Sequence, residues 1–183
     1  MKRILPLLVL LTVIIGCKSS KKTTSVKPVS ITVKAPDEDE NTSDSNTVNN
    51  TVENESALAN EIVRTALSYS GTRYKYGGIT SKGMDCSGLL FVAFKQHEVP
   101  IQRTSSMMAS QGVKIKIRDV QKGDLLFFTT GKNKRRINHV GLVVAVKNND
   151  VKFIHSTTSR GVLISSINEG YWNYAFKEAR RIL

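Results

Sequence analysis

Four histidine and cysteine side chains carry most of the chemistry this chain can do: Cys86, His97, His139 and His155. Cys86 stands in Asp85-Cys86-Ser87-Gly88 and is one of two cysteines; the other, Cys17, lies at the end of an apolar N-terminal stretch. If Cys17 is spent there, the folded part holds one thiol with no intramolecular disulfide partner. Such a thiol in an exported protein is either an inert core residue or a nucleophile. Cys86 opens the apolar run Leu89-Leu90-Phe91-Val92-Ala93-Phe94, which reads as a buried helix. On the first turn of a helix a sulfur meets unpaired N–H groups and the positive end of the dipole, which favour thiolate. The expectation is a nucleophile with a depressed pKa.

A thiol nucleophile needs a base near neutrality, and imidazole fits. His97 lies eleven residues beyond Cys86, about 16 Å along a helix, and reads as a surface histidine. His139 opens the strand-like run His139-Val140-Gly141-Leu142-Val143-Val144, and His155 closes Phe153-Ile154-His155-Ser156. Each alone reads as readily as a hydrogen-bonded core histidine. Two at the same end of one hairpin, beside a free thiol, favour a site. A two-residue turn at Asn148-Asn149 would set His155 opposite Leu142 and send the two rings to opposite faces. A three-residue loop, Lys147 to Asn149, sets His155 opposite Gly141 and puts both on one face. A shared site therefore requires an odd loop or a bulge, with Gly141 leaving room beside the imidazole.

The elements that would position these residues follow from punctuation and periodicity. Ser56 is a candidate N-cap for a helix to about Ser70, with Leu58, Ile62, Ala66 and Tyr69 on one face and Gly71 ending it. Thr72 to Asp85, with three glycines, reads as a loop that must pass close to something. The Cys86 helix runs to about His97 and stops before Pro100. A short helix is possible before Gly112. Strands are expected at Val113–Ile117, Leu125–Thr129, His139–Val146, Val151–Ser156 and Gly161–Ser165, with a basic tip at Gly131–Arg136. The stretch from Tyr171-Trp172 to Arg181 returns to the core. Helices first and strands later give an α+β domain, its helices packed on a central antiparallel sheet.

The 183 residues bound one ordinary domain plus accessory segments. Lys2 and Arg3 precede an apolar stretch from Ile4 to Ile15 and then Gly16-Cys17. That stretch is short for a bilayer span and suits a signal peptide over 1–16. Residues 17–56 are expected to be a lipidated cysteine followed by a disordered tether, rich in Ser, Thr, Asn and charge and lacking aromatics. As a coil it would reach on the order of 35 Å. Of 27 basic and 15 acidic residues, positions 57–183 hold 20 and 8. Such a field favours polyanions. Export argues against nucleic acid and for anionic lipid or an acidic cell-wall polymer.

The ordered series Tyr74-Lys75-Tyr76-Gly77-Gly78, Asp85-Cys86-Ser87-Gly88, Arg103-Thr104-Ser105, Gly123-Asp124-Leu125, His139-Val140-Gly141 and Phe153-Ile154-His155 resembles the NlpC family of papain-like cell-wall cysteine peptidases over residues 57–183. The C-terminal stretch, Ser165 to Arg181, most resembles the lipoprotein murein endopeptidases of Gram-negative bacteria. The Ile14-Ile15-Gly16-Cys17 ending resembles a lipobox. The resemblance implies a papain-like fold with Cys86 as nucleophile, His139 as general base and His155 orienting the imidazole. It implies Tyr74 facing the thiol, and Asp85 and Ser87 lining a subsite for a stem-peptide amine.

Arg73, Tyr76, Gln102 and Met108 depart from the family pattern at positions expected to shape the groove walls. The resulting expectation is a monomeric hydrolase of peptidoglycan, acting at diaminopimelate in stem peptides or their cross-links. It would need no cofactor or metal and would face the periplasm from the outer membrane on a Cys17 lipid anchor. The alternatives are a weak or inactive cell-wall-binding lipoprotein, an amidase or acyltransferase on the same fold, and a metal protein. The last is disfavoured because the three residues match no short metal motif.

Overall fold

The computed structural model describes residues 44–131 and 135–183. The expected signal segment, Cys17, and the part of the expected tether up to residue 43 lie outside the described residues. So does the centre of the basic tip.

The first helix, α1 (Asp44–Ser68), begins twelve residues before Ser56. The tether expected through residue 56 is therefore helical from Asp44. Between Pro36 and Gly71 the sequence has no proline or glycine, so nothing interrupts a helix once its packed half has formed the costly nucleus. From Val52 onward its buried stripe runs through Ala59, Ile62, Val63 and Ala66, while residues 52–57 are exposed. The polar composition thus describes the burial of this segment but not its backbone.

The expected Gly-rich loop contains a small hairpin, β1 (Ile79–Thr80) with β2 (Gly83–Met84). It leads directly into α2 (Cys86–Lys95). Leu89, Leu90, Ala93 and Phe94 of α2 are fully buried against Ile62, Val63 and Ala66 of α1. Burying each larger side chain contributes about 1.5–3 kcal/mol, which fixes the helix that carries the thiol. A single turn, α3 (Ser105–Met108), follows behind its N-cap Thr104.

Six strands form one antiparallel sheet: β3 (Val113–Ile115), β4 (Leu125–Phe128), β5 (His139–Lys147), β6 (Asp150–Thr157), β7 (Gly161–Ser166) and β8 (Phe176–Arg181), in the order β3-β8-β4-β5-β6-β7. Leu125, Phe127, Val140, Leu142, Ile154 and Val162 face α1 and α2. Leu126, Phe128, Val143 and Phe153 form a second core with Trp172 and Ala175 of α4 (Gly170–Ala175). The α+β, helix-on-antiparallel-sheet architecture is as expected. The strand β8, in the sheet interior between β3 and β4, was not foreseen as a strand.

The β5–β6 connection settles the register. Asn148 and Asn149 have φ of 50° and 60°, the paired left-handed geometry of a type I′ two-residue turn. Lys147 pairs with Asp150 and Val146 with Val151, but beyond a bulge between Val143 and Ala145 the pairs are Val143–Phe153 and Leu142–Ile154. The extra residue shifts the register by one and restores His139 and His155 to the same face.

Candidate active site

Two element starts meet here. Cys86 is the first residue of α2 and His139 the first of β5. Both line a cavity of about 380 Å³ together with Tyr74, Trp172 and the β6–β7 turn.

Asp85 is the N-cap of α2 and accepts from the Gly88 N–H at 2.6 Å and the Gly77 N–H at 2.7 Å. Arg103 adds donors to both carboxylate oxygens at 3.2 Å and bonds Ser87 Oγ at 2.9 Å. The Gly-rich segment is thereby drawn onto the first turn of α2, which answers what it passes close to. The fit is tight: a Cβ on Gly88 would overlap the Gly78 carbonyl oxygen. Asp85 and Ser87 are buried, and neither lines the cavity. Their polar atoms serve the helix start and Arg103, whereas Tyr74, half-buried, does line the cavity. Burial raises the Tyr74 pKa, with the Cys86 and Asp85 charges acting in the same direction.

The thiol departs from expectation. Burial pushes Cys86 up to about 11, and Asp85 adds to the rise. The backbone N–H groups of Val140, Ser87 and Cys86 itself oppose the rise but do not overcome it. The helix-start reading named the right groups and underrated desolvation. Burial likewise holds His139 down at about 4. His155 falls to about 2 through burial, then the charges of His139 and Arg160. All three shifts run in the direction that favours a neutral thiol and neutral imidazoles.

Two hydrogen bonds tie the imidazoles into a series. His139 Nε2 lies 2.9 Å from His155 Nδ1, and His155 Nε2 lies 3.1 Å from Ser165 Oγ. In the tautomer with His139 Nε2–H donating to His155 Nδ1, and His155 Nε2–H donating to Ser165, the unprotonated nitrogen of His139 is Nδ1, which suits that ring to act as a base. Trp172 stacks on His139 at 5.2 Å and 21° and meets His155 edge-on at 4.5 Å. The rings are held in orientation by aromatic contact as well as by hydrogen bonds. This pattern can perform base-assisted thiol addition to an acyl carbon. Among the described residues no group of three or more His, Cys, Asp and Glu side chains is placed to hold a metal ion.

His97 is not part of this cluster; its Nε2 lies 2.8 Å from Thr65 Oγ1 and links the end of α2 to α1. Gly141 does stand on the imidazole face, but the space it leaves is taken by Phe153, whose Cδ2 would lie 2.5 Å from an added Cβ. Phe153 in turn packs on His155 at 4.7 Å. None of Arg73, Tyr76, Gln102 and Met108 lines the cavity. Met108 is fully buried in the core, Arg73 bonds the Lys82 carbonyl, and Tyr76 is exposed, so these departures do not shape its wall. Ser165 and Trp172 were missed. Ser165 had a readable signal, a hydroxyl on alternate parity to buried Val162.

The NlpC/P60 family pattern matches residues 71–181, the stretch that holds every residue of this cluster. The chain belongs to the NlpC/P60 family. The domain is that of a cysteine peptidase, a hydrolase. The chain is similar to the probable endopeptidase NlpC of Escherichia coli K12, 39% identical over 116 residues, covering 63% of this chain and 72% of that protein. It is equally similar to the same organism's murein DD-endopeptidase MepS/murein LD-carboxypeptidase, 39% over 116 residues. That match covers 63% of this chain and 58% of that protein. The crystal structure of a family member from Bacillus cereus ATCC 10987 superposes with a TM-score of 0.62 at 30% identity. It covers 68% of this chain and 40% of that one.

Proposed function

We propose that the protein is a peptidoglycan endopeptidase that hydrolyses stem-peptide or cross-link bonds at diaminopimelate by a Cys86–His139–His155 thiol mechanism. The observation that carries this reading is the continuous hydrogen-bonded series that starts at His139, on the wall of the cavity that also holds Cys86, and runs through buried His155 to buried Ser165. Its relatives named as murein endopeptidases supply the substrate class.

As the Cys86 sulfur bonds the acyl carbon, its proton passes to His139 Nδ1 and the carbonyl oxygen becomes an oxyanion. Backbone N–H groups at the start of α2 stabilise that charge. His139 then gives its proton to the leaving amine as the C–N bond breaks, leaving a thioester. Water loses a proton to His139 as it attacks the thioester, and Cys86 leaves as the thiol again. His155 holds the imidazole in the required tautomer and supports its charged form, the third-member role in acyl-transfer triads. Tyr74 lines the same cavity as the thiol. Cys17 carries a lipid that anchors the protein to the outer membrane facing the periplasm.

Digestion of purified sacculi with the full chain, resolved by chromatography of the muropeptides, tests the activity. New monomers from cross-linked dimers are expected with the wild type and none with Cys86→Ala; intact sacculi under both would refute it. For the anchor, Cys17→Ser should move the protein from the membrane to the soluble fraction, and unchanged fractionation would count against it.

A further inference from the structure

The β6–β7 turn, residues 158–160, forms one wall of the active-site cavity, and its last residue is Arg160. This turn is fixed in place. The Arg160 N–H donates to Thr157 Oγ1 at 3.2 Å, while the Val162 N–H donates to the Thr72 carbonyl and the Gly71 N–H to the Val162 carbonyl, both at 2.8 Å. Gly161 has φ of +68° and packs so closely on Thr72 that a Cβ would overlap its carbonyl oxygen. Arg160 is thereby pinned beside the segment that carries Tyr74, on the rim of the cavity that holds the thiol.

The guanidinium is exposed and among the described residues has no carboxylate partner. Glu169, the acidic residue in the same cavity wall, is engaged by the Ser166 N–H at 2.9 Å. Arg160 nevertheless lies near enough to the catalytic cluster for its charge to act on buried His155. The rest of this wall is hydroxyl-rich, with Thr157, Thr158 and Ser159. A cation carried on a fixed turn, with no carboxylate partner among the described residues, set among hydroxyl donors and beside a nucleophile, suits a carboxylate of the substrate, which guanidinium binds through two parallel hydrogen bonds.

We propose that Arg160 determines specificity by binding a free carboxylate on the amino acid whose nitrogen is released. This rests on the peptidoglycan reading above and narrows it. In a D-alanyl–diaminopimelate cross-link, the carbon bearing the scissile nitrogen also bears a free carboxylate. In a γ-D-glutamyl–diaminopimelate bond of a longer stem, the equivalent carboxyl is already an amide. Arg160 therefore favours the cross-link.

The test uses the full chain and cross-linked muropeptide dimers with that carboxylate either free or amidated, measuring kcat and KM by chromatography. On the free-carboxylate dimer Arg160→Gln should raise KM roughly tenfold with kcat within about twofold, and Arg160→Lys should recover part of the loss. On the amidated dimer wild type and Arg160→Gln should be alike, both with the raised KM. Equal KM for wild type and Arg160→Gln on the free acid, or the same loss on both dimers, would overturn the assignment while leaving the peptidase reading intact. Failure of the wild type to cleave either dimer would overturn that reading and this one with it.

Discussion

Acid should unfold this protein through its active site. Burial holds His139 at about 4 and His155 at about 2, while an imidazole in the unfolded chain titrates near 6.5. As pH falls below 6.5 the unfolded state takes up two protons that the native state refuses. The stability from these two groups is fully present above 6.5. It is lost progressively as pH falls, down to about 4 for His139 and about 2 for His155. At pH 5, one and a half units below the unfolded value, each histidine costs roughly 2 kcal/mol, and the pair about 4. That is a large fraction of the 5–15 kcal/mol typical of a domain. Urea unfolding at pH 7.5, 6.5 and 5, read by the emission of Trp172, the single tryptophan, measures it before most carboxylates titrate. His155→Asn should lower stability at pH 7.5 but remove about half of the pH dependence. A wild-type stability that changes by less than about 1 kcal/mol between pH 7.5 and 5, or a His155→Asn protein that keeps the full slope, would refute the reasoning.

Other consequences follow from the same geometry. Alkylation of Cys86 by iodoacetamide should rise through the alkaline range toward about 11, with a midpoint above the ordinary 8.5; a plateau already reached at pH 7 would show a thiolate instead. His139→Ala should lose roughly 10²–10⁴-fold in rate, as a lost general base does, whereas His155→Asn should keep measurable activity. His97→Ala should be near wild type in muropeptide release, since its ring contacts only the α1–α2 seam; an inactive His97→Ala would contradict the site. Gly88→Ala should cost on the order of 1–3 kcal/mol through overpacking against the Gly78 carbonyl, seen as a lower urea midpoint, and should reduce kcat because Cys86 lies two residues away.

The fold was legible where burial and backbone signals agree. The α2 core run, the strands of the β5–β6 hairpin and β7 all pair apolar periodicity with turn residues. It was illegible where they part. β8 reads Phe176-Lys177-Glu178-Ala179-Arg180-Arg181 and buries only Ala179 fully, so its charges suggest a surface. In the structure three of those four charges are paired. Glu178 bonds Lys114 at 3.0 Å and Arg180 at 2.9 Å, and Arg181 grips both oxygens of Asp124 at 2.9 and 2.8 Å. A strand between two neighbours can keep polar side chains when its neighbours supply counter-charges, and single-strand patterning does not reveal that.

For the site, the sequence supplied a conditional rather than an answer. The two imidazoles share a face only if one residue is gained or lost between them, and Asn148-Asn149 favours the even turn that would separate them. The structure keeps that turn and inserts the odd residue within β5, between Val143 and Ala145. No residue type there announces a bulge, because Val143, Val144 and Ala145 are ordinary strand formers. What demands it is tertiary: Val140 and Leu142 must reach the α2 face while Phe153 and His155 reach Trp172. The outer hairpin can then follow its turn without dictating the inner register. The thiol shows the same limit. Its N–H neighbours were inferable from a helix start, but the depth of burial that outweighs them depends on β5 closing over Cys86, a contact made across more than fifty residues of chain.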